Sequence, residues 1–183
     1  MIRIVAFEEL SPAAREAAAE VLVRAFAQIP AAWDTLAEGR EEVETFFTDP
    51  DRSALAALDG ERLVGWTGLI RTYSHAFELH PIAVDADRER QGLGAMLMRA
   101  LEALARSEGA LTLYLGADDQ FGGTTLFGSD PFPNLLASLE RIAAIGSRHP
   151  LGFYLKMGFT LAGLIPDANG SGKPDILFAK RLG

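Results

Sequence analysis

Two stretches of the chain carry residues whose types and spacing can do chemistry. The first is Val84-Asp85-Ala86-Asp87-Arg88-Glu89-Arg90-Gln91-Gly92-Leu93-Gly94-Ala95. It reads as a strand end, a polar turn and a helix opening on two glycines. The first N–H groups of a helix have no partner within it and carry the positive end of its dipole. Glycines let an anion approach that backbone closely. Gln91, Gly92, Leu93, Gly94 and Ala95 can therefore cradle a pyrophosphate, with Arg88 and Arg90 adding charge. A plain strand-to-helix connection uses the same residues. The third glycine of a dinucleotide-binding fingerprint is missing, and no Gly-Lys-Ser/Thr follows as in a Walker loop.

The second stretch is Phe77-Glu78-Leu79-His80-Pro81-Ile82-Ala83-Val84. Glu78 and His80 lie two apart on an extended segment, so their side chains share a face. A carboxylate beside an amine can accept its proton, and an imidazole titrating near neutrality can relay it. An ion pair or a solvated face accounts equally well for Glu78, and a satisfied core histidine for His80. Pro81 cannot donate to a central ladder. The strand therefore either bulges there, freeing the N–H of Ile82, or simply ends.

Composition narrows what these groups can be used for. The chain has 183 residues, no Cys and three His. That length suits one domain spanning residues 1–183. Disulfides, thiolate nucleophiles, iron–sulfur clusters and cysteine zinc sites are excluded, and no metal site is expected. With 25 acidic against 17 basic residues the net charge is −8. That balance argues against nucleic-acid binding, which needs phosphate-neutralising cations. It suits a cationic or amine-bearing partner, although solubility alone also explains it. No apolar run approaches the roughly 20 residues of a membrane span, and the N-terminus lacks a secretory pattern. No membrane partner and a cytoplasmic location are the expectations.

The elements that must position these groups follow from periodicity. Ile2 to Phe7 reads as a strand. Ser11-Pro12 caps and opens an Ala-rich helix to Ala27, which Pro30 ends. A second helix covers Glu41 to Phe47. Ser53 to Leu58 and Leu63 to Ile70 form a hairpin about Asp59-Gly60 with a type I′ turn. Phe77 to Val84 is the next strand, and Leu93 to Ala105 a helix with Leu93, Leu97, Leu101 and Leu104 on one side. Leu111 to Leu115 is a strand. Gly116 to Pro133 is a long polar loop of the kind that is usually functional or disordered. Helices over Leu135 to Ala144 and Gly152 to Met157 follow. Strands over Phe159 to Ile165 and Ile176 to Ala179 close the chain. The order predicts an α+β fold: a mixed, mostly antiparallel central sheet with helices on its faces.

The strand broken by Pro81, the Arg/Gln/Gly turn and the long helix together resemble the GNAT superfamily of N-acetyltransferases. Its Q/R-x-x-G-x-G/A motif falls on Glu89 to Gly94, with Glu89 at the first position. Four segments are similar to the aminoglycoside 6'-N-acetyltransferases within it. Phe77 to Val84 resembles their W-E-L-H-P-L-V-V strand. Leu113-Tyr114-Leu115-Gly116-Ala117-Asp118-Asp119 with Gly123-Thr124-Thr125-Leu126 resembles Y-L-G-T-D-D…T-T-L. His149-Pro150 with Phe153-Tyr154-Leu155-Lys156-Met157-Gly158-Phe159 resembles H-P-Y-E-F-Y-x-K-L-G-F/Y. Pro166-Asp167-Ala168-Asn169-Gly170 with Lys173-Pro174-Asp175-Ile176 resembles P-x-A-N-G-x-x-K-P-D-I. The likeness runs from about Gly65 to the C-terminus.

The resemblance implies acetyl-CoA as cofactor and direct transfer of its acetyl group to a primary amine. The implied acceptor is a polycationic small molecule, the 6'-amine of an aminoglycoside. Glu78 and His80 become the proton-accepting unit. Ile82 becomes the backbone donor to the thioester carbonyl, and the backbone from Ile82 to Val84 pairs with the pantetheine arm. Arg90, Gln91, Gly92, Leu93, Gly94 and Ala95 hold the pyrophosphate. Tyr154 becomes the acid for the departing thiolate, and Asp118, Asp119 and Asp130 join Glu78 in holding the acceptor. A homodimer is also implied. Leu151-Gly152 stand where the family pattern has an aromatic and a carboxylate, and Phe77 where it has Trp. Another small amine, or a non-catalytic acyl-CoA-binding or drug-binding protein, is the alternative.

Overall fold

A computed structural model describes residues 1–29, 32–146 and 149–183. Pro30, expected to end the first helix, lies outside them. The chain divides into two units, Met1–Leu111 with Leu182–Gly183, and Thr112–Arg181.

The first unit begins with β1 (Ile2–Ala6) and α1 (Pro12–Phe26). Ser11 caps α1, its hydroxyl accepting from the Ala14 N–H at 3.2 Å, with Pro12 at the first helical position. α2 spans Leu36–Thr48 and so starts five residues before the expected Glu41. The signal overlooked was a capping box. Thr35 accepts from the Glu38 N–H, and the Glu38 carboxylate accepts from the Thr35 N–H at 2.9 Å. Two first-turn N–H groups are thereby satisfied, which sets the helix start.

β2 (Arg52–Asp59), β3 (Arg62–Ile70) and β4 (Ala76–Val84) complete an antiparallel sheet in the order β1-β2-β3-β4. The β2–β3 turn corrects the sequence expectation. Asp59 pairs with Arg62, so the turn residues are Gly60 and Glu61. Only Gly60 has positive φ, whereas a type I′ turn needs it at both central residues. α3 (Leu93–Ser107) follows.

Helices pack on both faces of this sheet. Ala18, Leu22, Val43 and Phe46 from α1 and α2 bury against Ala54, Ala56, Leu58 and Trp66. Leu93 and Leu97 from α3 bury against Ala57 and Val64 on the other face. Trp66 is fully buried between Phe7 and Phe46, and its indole N–H donates to the Ala18 carbonyl at 3.0 Å. That bond removes the cost of an unpaired buried donor. Truncating such an anchor costs about 3–5 kcal/mol.

The second unit contains β5 (Thr112–Asp118), α4 (Leu135–Glu140), α5 (Leu151–Lys156), β6 (Thr160–Ile165) and β7 (Asp175–Arg181). Its strands pair antiparallel in the order β5-β7-β6. β5 runs past the expected Leu115, because Gly116, Ala117 and Asp118 pair with Leu177, Ile176 and Asp175. α4 stops before the expected Ala144. Beyond it the Thr125 N–H donates to the Ala143 carbonyl at 3.0 Å, and the Ile145 N–H to the Gly123 carbonyl at 2.7 Å. Tertiary pairing with the long loop thus replaces the last helical turn. The fold is α+β, with antiparallel strands and flanking helices, as the order of elements predicts. No helix among the described residues is long and apolar enough to cross a membrane.

Candidate active site

β4 alternates along its length. Phe77, Leu79, Pro81 and Ala83 are buried, while Glu78, His80, Ile82 and Val84 are only partly so. The period of two places Glu78 and His80 on one face, that of Trp33 and Glu42, whereas beyond the bulge Ile82 and Val84 pack with Leu93 and Leu97 of α3 on the other. The bulge expected from Pro81 is present. Thr67 pairs with Ile82 and Leu69 with Leu79, so Gly68 alone faces both His80 and Pro81. Thr67 covers the disturbed ladder, its buried hydroxyl donating to the Pro81 carbonyl at 3.0 Å. Gly68 is demanded by close approach. A Cβ there would lie 2.3 Å from the His80 carbonyl oxygen and 2.4 Å from the Phe46 ring. Ile82 is the first residue of β4 beyond the bulge, where an oxyanion donor was expected.

His80 keeps 40 % of its side chain exposed. Its ring sits 5.5 Å from that of Trp33, tilted by 50°. Its Nε2 lies 3.8 Å from Glu42 Oε1, and the same carboxylate oxygen accepts from Arg52 Nη1 at 3.0 Å. Sequence reasoning missed Glu42, Trp33 and Arg52. Glu42 follows an ordinary run of helix glutamates and Trp33 lies in an irregular segment, so no spacing connects either of them to residue 80.

The turn after β4 is pinned by buried Asp85. Arg62 Nη2 donates to it at 2.7 Å, and Arg24 approaches to 3.7 Å. Arg88 is engaged with Asp59 at 2.8 Å. The N-terminal ammonium and Arg88 together hold the Asp59 carboxyl below the usual carboxylate range. Gln91 Nε2 donates to the Asp87 carbonyl at 3.0 Å, which folds the turn on itself. Arg90 is exposed, with φ +57°, and makes no ion pair among the described residues. Gly92 caps α3 at φ +85°, with no side-chain hydrogen bond to the first turn and no heavy atom within 4 Å of where a Cβ would stand. Leu93 is buried, while Gly94 and Ala95 in the first turn are half-buried. An uncapped helix start of 15 residues, an open glycine and an unpaired arginine fit a phosphate group. Of the two arginines weighed for that charge, Arg90 is available and Arg88 is not.

The second unit holds the remaining expected residues. Asp119 is 1 % exposed. Its carboxylate accepts from the Gly123 N–H at 2.8 Å, the Thr124 N–H at 2.8 Å and the Thr124 hydroxyl at 2.7 Å. Those bonds engage the carboxylate expected to bind the acceptor with the backbone and hydroxyl of its own loop. Asp119 organises the loop, which is folded where a structureless segment was allowed. Asp130 is exposed and accepts from the Phe132 N–H at 3.1 Å, a turn-forming contact. Asp118 is exposed and bonded to Asn169. His149 is buried. Its Nδ1 accepts from the Leu151 N–H, so its Nε2–H donates to the Ala117 carbonyl at 3.0 Å. Tyr154 is buried against Phe159 and Phe178, and burial pushes its phenol well above the ordinary value. That shift makes it a hydrogen-bond donor and a poor source of a free proton.

Comparison with known proteins agrees with this geometry. Residues 17–122, more than half of the chain, match the model of the acetyltransferase (GNAT) family. No curated protein matches the sequence. Among solved structures, an aminoglycoside 6'-N-acetyltransferase complexed with coenzyme A superimposes with a TM-score of 0.89 at 34% identity, covering 99% of this chain and 97% of that one. The aminoglycoside 6'-N-acetyltransferase from Enterococcus faecium gives 0.88 at 34% identity with the same coverage. The ribosomal-protein-S18-alanine N-acetyltransferase from Escherichia coli shares the fold, with a TM-score of 0.65 at 19% identity over 100% of this chain and 95% of that one. The chain therefore belongs to the acetyltransferase (GNAT) family.

Proposed function

We propose that the protein acetylates the 6'-amine of an aminoglycoside by direct attack within a ternary complex. The observation that carries this reading is the 34% identity over 99% of the chain to aminoglycoside 6'-N-acetyltransferases. The bulged Glu78-Leu79-His80-Pro81 strand supports it, since a half-buried carboxylate and imidazole share one face there.

Acetyl-CoA supplies an activated thioester. Arg90 and the backbone from Gln91 to Ala95 hold its pyrophosphate, and Ile82 to Val84 pair with its pantetheine arm. Glu78 holds the acceptor ammonium and takes its proton, with His80 relaying it to solvent. The Ile82 N–H donates to the thioester carbonyl as charge builds there. Tyr154 donates a hydrogen bond to the departing sulfur. Asp118 and Asp130, both exposed, attract the remaining cationic groups. The resemblance also makes the working form a homodimer, which sedimentation tests.

Gly152 favours a second reading. It is exposed where the family pattern has a carboxylate, and Asp119 is withdrawn from the acceptor by burial. A less cationic amine then becomes the acceptor. Incubation with acetyl-CoA and a panel of amines, followed by thiol release, separates the two. Turnover of kanamycin-like compounds is expected. Turnover of other amines alone selects the second reading, and cofactor binding without turnover of any amine overturns both.

A further inference from the structure

We propose that Glu42 is a positioning residue for His80, holding the imidazole against Trp33 and stabilising the charge that the ring takes on. This rests on the acetyl-transfer reading above. Glu42 reaches β4 from α2, and its side chain is only 16 % exposed. At 3.8 Å from His80 Nε2 it stands at ion-pair range, beyond a direct hydrogen bond.

The carboxylate is fixed from behind. Arg52 Nη1 donates to it at 3.0 Å and to Thr45 Oγ1 at 3.0 Å, while the guanidinium lies over the Phe46 ring. Trp33, whose ring centroid lies 5.5 Å from that of the imidazole, is itself held edge-on by Phe26 at 4.9 Å. The imidazole is thus restrained by a carboxylate and an indole, and its remaining surface is open. Among the described residues, the charged group paired with it is Glu42 from α2, with Arg52 of β2 behind Glu42 and Glu78 two positions away on its own strand.

A proton leaving the acceptor amine raises the charge of the ring by one until solvent takes it. A fixed carboxylate beside the ring favours that charged form and sets the ring's orientation, as the buried acid of a hydrolase triad does for its histidine. Arg52 alone does not need this arrangement, since it also has Asp49 within 3.6 Å.

Glu42→Gln tests the idea because the amide oxygen still accepts from Arg52 while the charge is lost. Its kcat for the best amine of the panel is expected to fall roughly tenfold, a fraction of what acid–base groups contribute. KM for acetyl-CoA and the thermal midpoint should stay unchanged. Glu42→Asp, which keeps the charge, should retain more activity than Glu42→Gln. In a His80→Ala background, adding Glu42→Gln should change kcat less than about twofold. The same loss in both backgrounds, or no loss in either, overturns the inference while acetyl transfer stands. Absence of thiol release by the unmutated protein with every amine overturns acetyl transfer and the inference together.

Discussion

β4 and the loop after β5 offered the same kinds of polar residue, and the structure uses them in opposite ways. On β4, Glu78 and His80 stay partly exposed, and the bulge at Pro81 is covered by Thr67 rather than by their side chains. In the loop, Asp119 is buried under three donors, and the nearby His149 has both ring nitrogens engaged with backbone. The lesson concerns where backbone groups find partners. A strand satisfies its backbone through the ladder, so its side chains are not needed as partners for backbone groups. An irregular loop must satisfy its N–H groups some other way, and here it uses the carboxylate and imidazole to do so.

Six substitutions would sharpen or break that contrast. Glu78→Gln should have the largest effect, a loss of about 10²–10⁴ in kcat with acetyl-CoA affinity retained, read by thiol release and calorimetry. A near-normal rate would put Glu78 in the same class as Asp119. Asp119→Asn comes next and should act on stability. Losing charge-assisted bonds to buried donors costs on the order of 3 kcal/mol, or roughly 6–12 °C in thermal midpoint. Asp118→Asn, at an exposed position, should shift that midpoint by little more than 1 °C. Equal shifts would dissolve the distinction between the two neighbours.

Tyr154→Phe keeps the ring that packs on Phe159 and Phe178. A drop of about tenfold in kcat at constant midpoint would mark its hydroxyl as a donor to the reaction. An unchanged rate would place it with the structural groups of the second unit. A smaller effect belongs to Arg90→Ala, which should raise KM for acetyl-CoA up to about fivefold, the scale of one exposed charge contact. Arg88→Ala should leave KM nearly unchanged, because Arg88 is paired with Asp59.

Much of the site was legible because it is local in sequence. The E-L-H-P strand, the glycine turn and the helix after it occupy residues 78–107, where two-residue and helical periods fix which side chains share a face. The Ser11-Pro12 cap and the Pro81 bulge follow from what single residues can and cannot donate. The turn at Gly60-Glu61 and the start of α2 were misplaced by a few residues, since cap and register signals compete over short spans.

What the sequence determined by itself is the chemistry on offer: no thiol nucleophile, a carboxylate and an imidazole two residues apart, and a backbone cradle at a helix start. Tertiary structure alone decided which polar groups remain available. Asp119 and Asp118 are adjacent, yet one is 1 % exposed and the other lies open. Glu42 comes to His80 across 38 positions of the chain. Burial and long-range contact depend on how helices and strands pack, and that packing leaves no period in the local sequence for a reader to find.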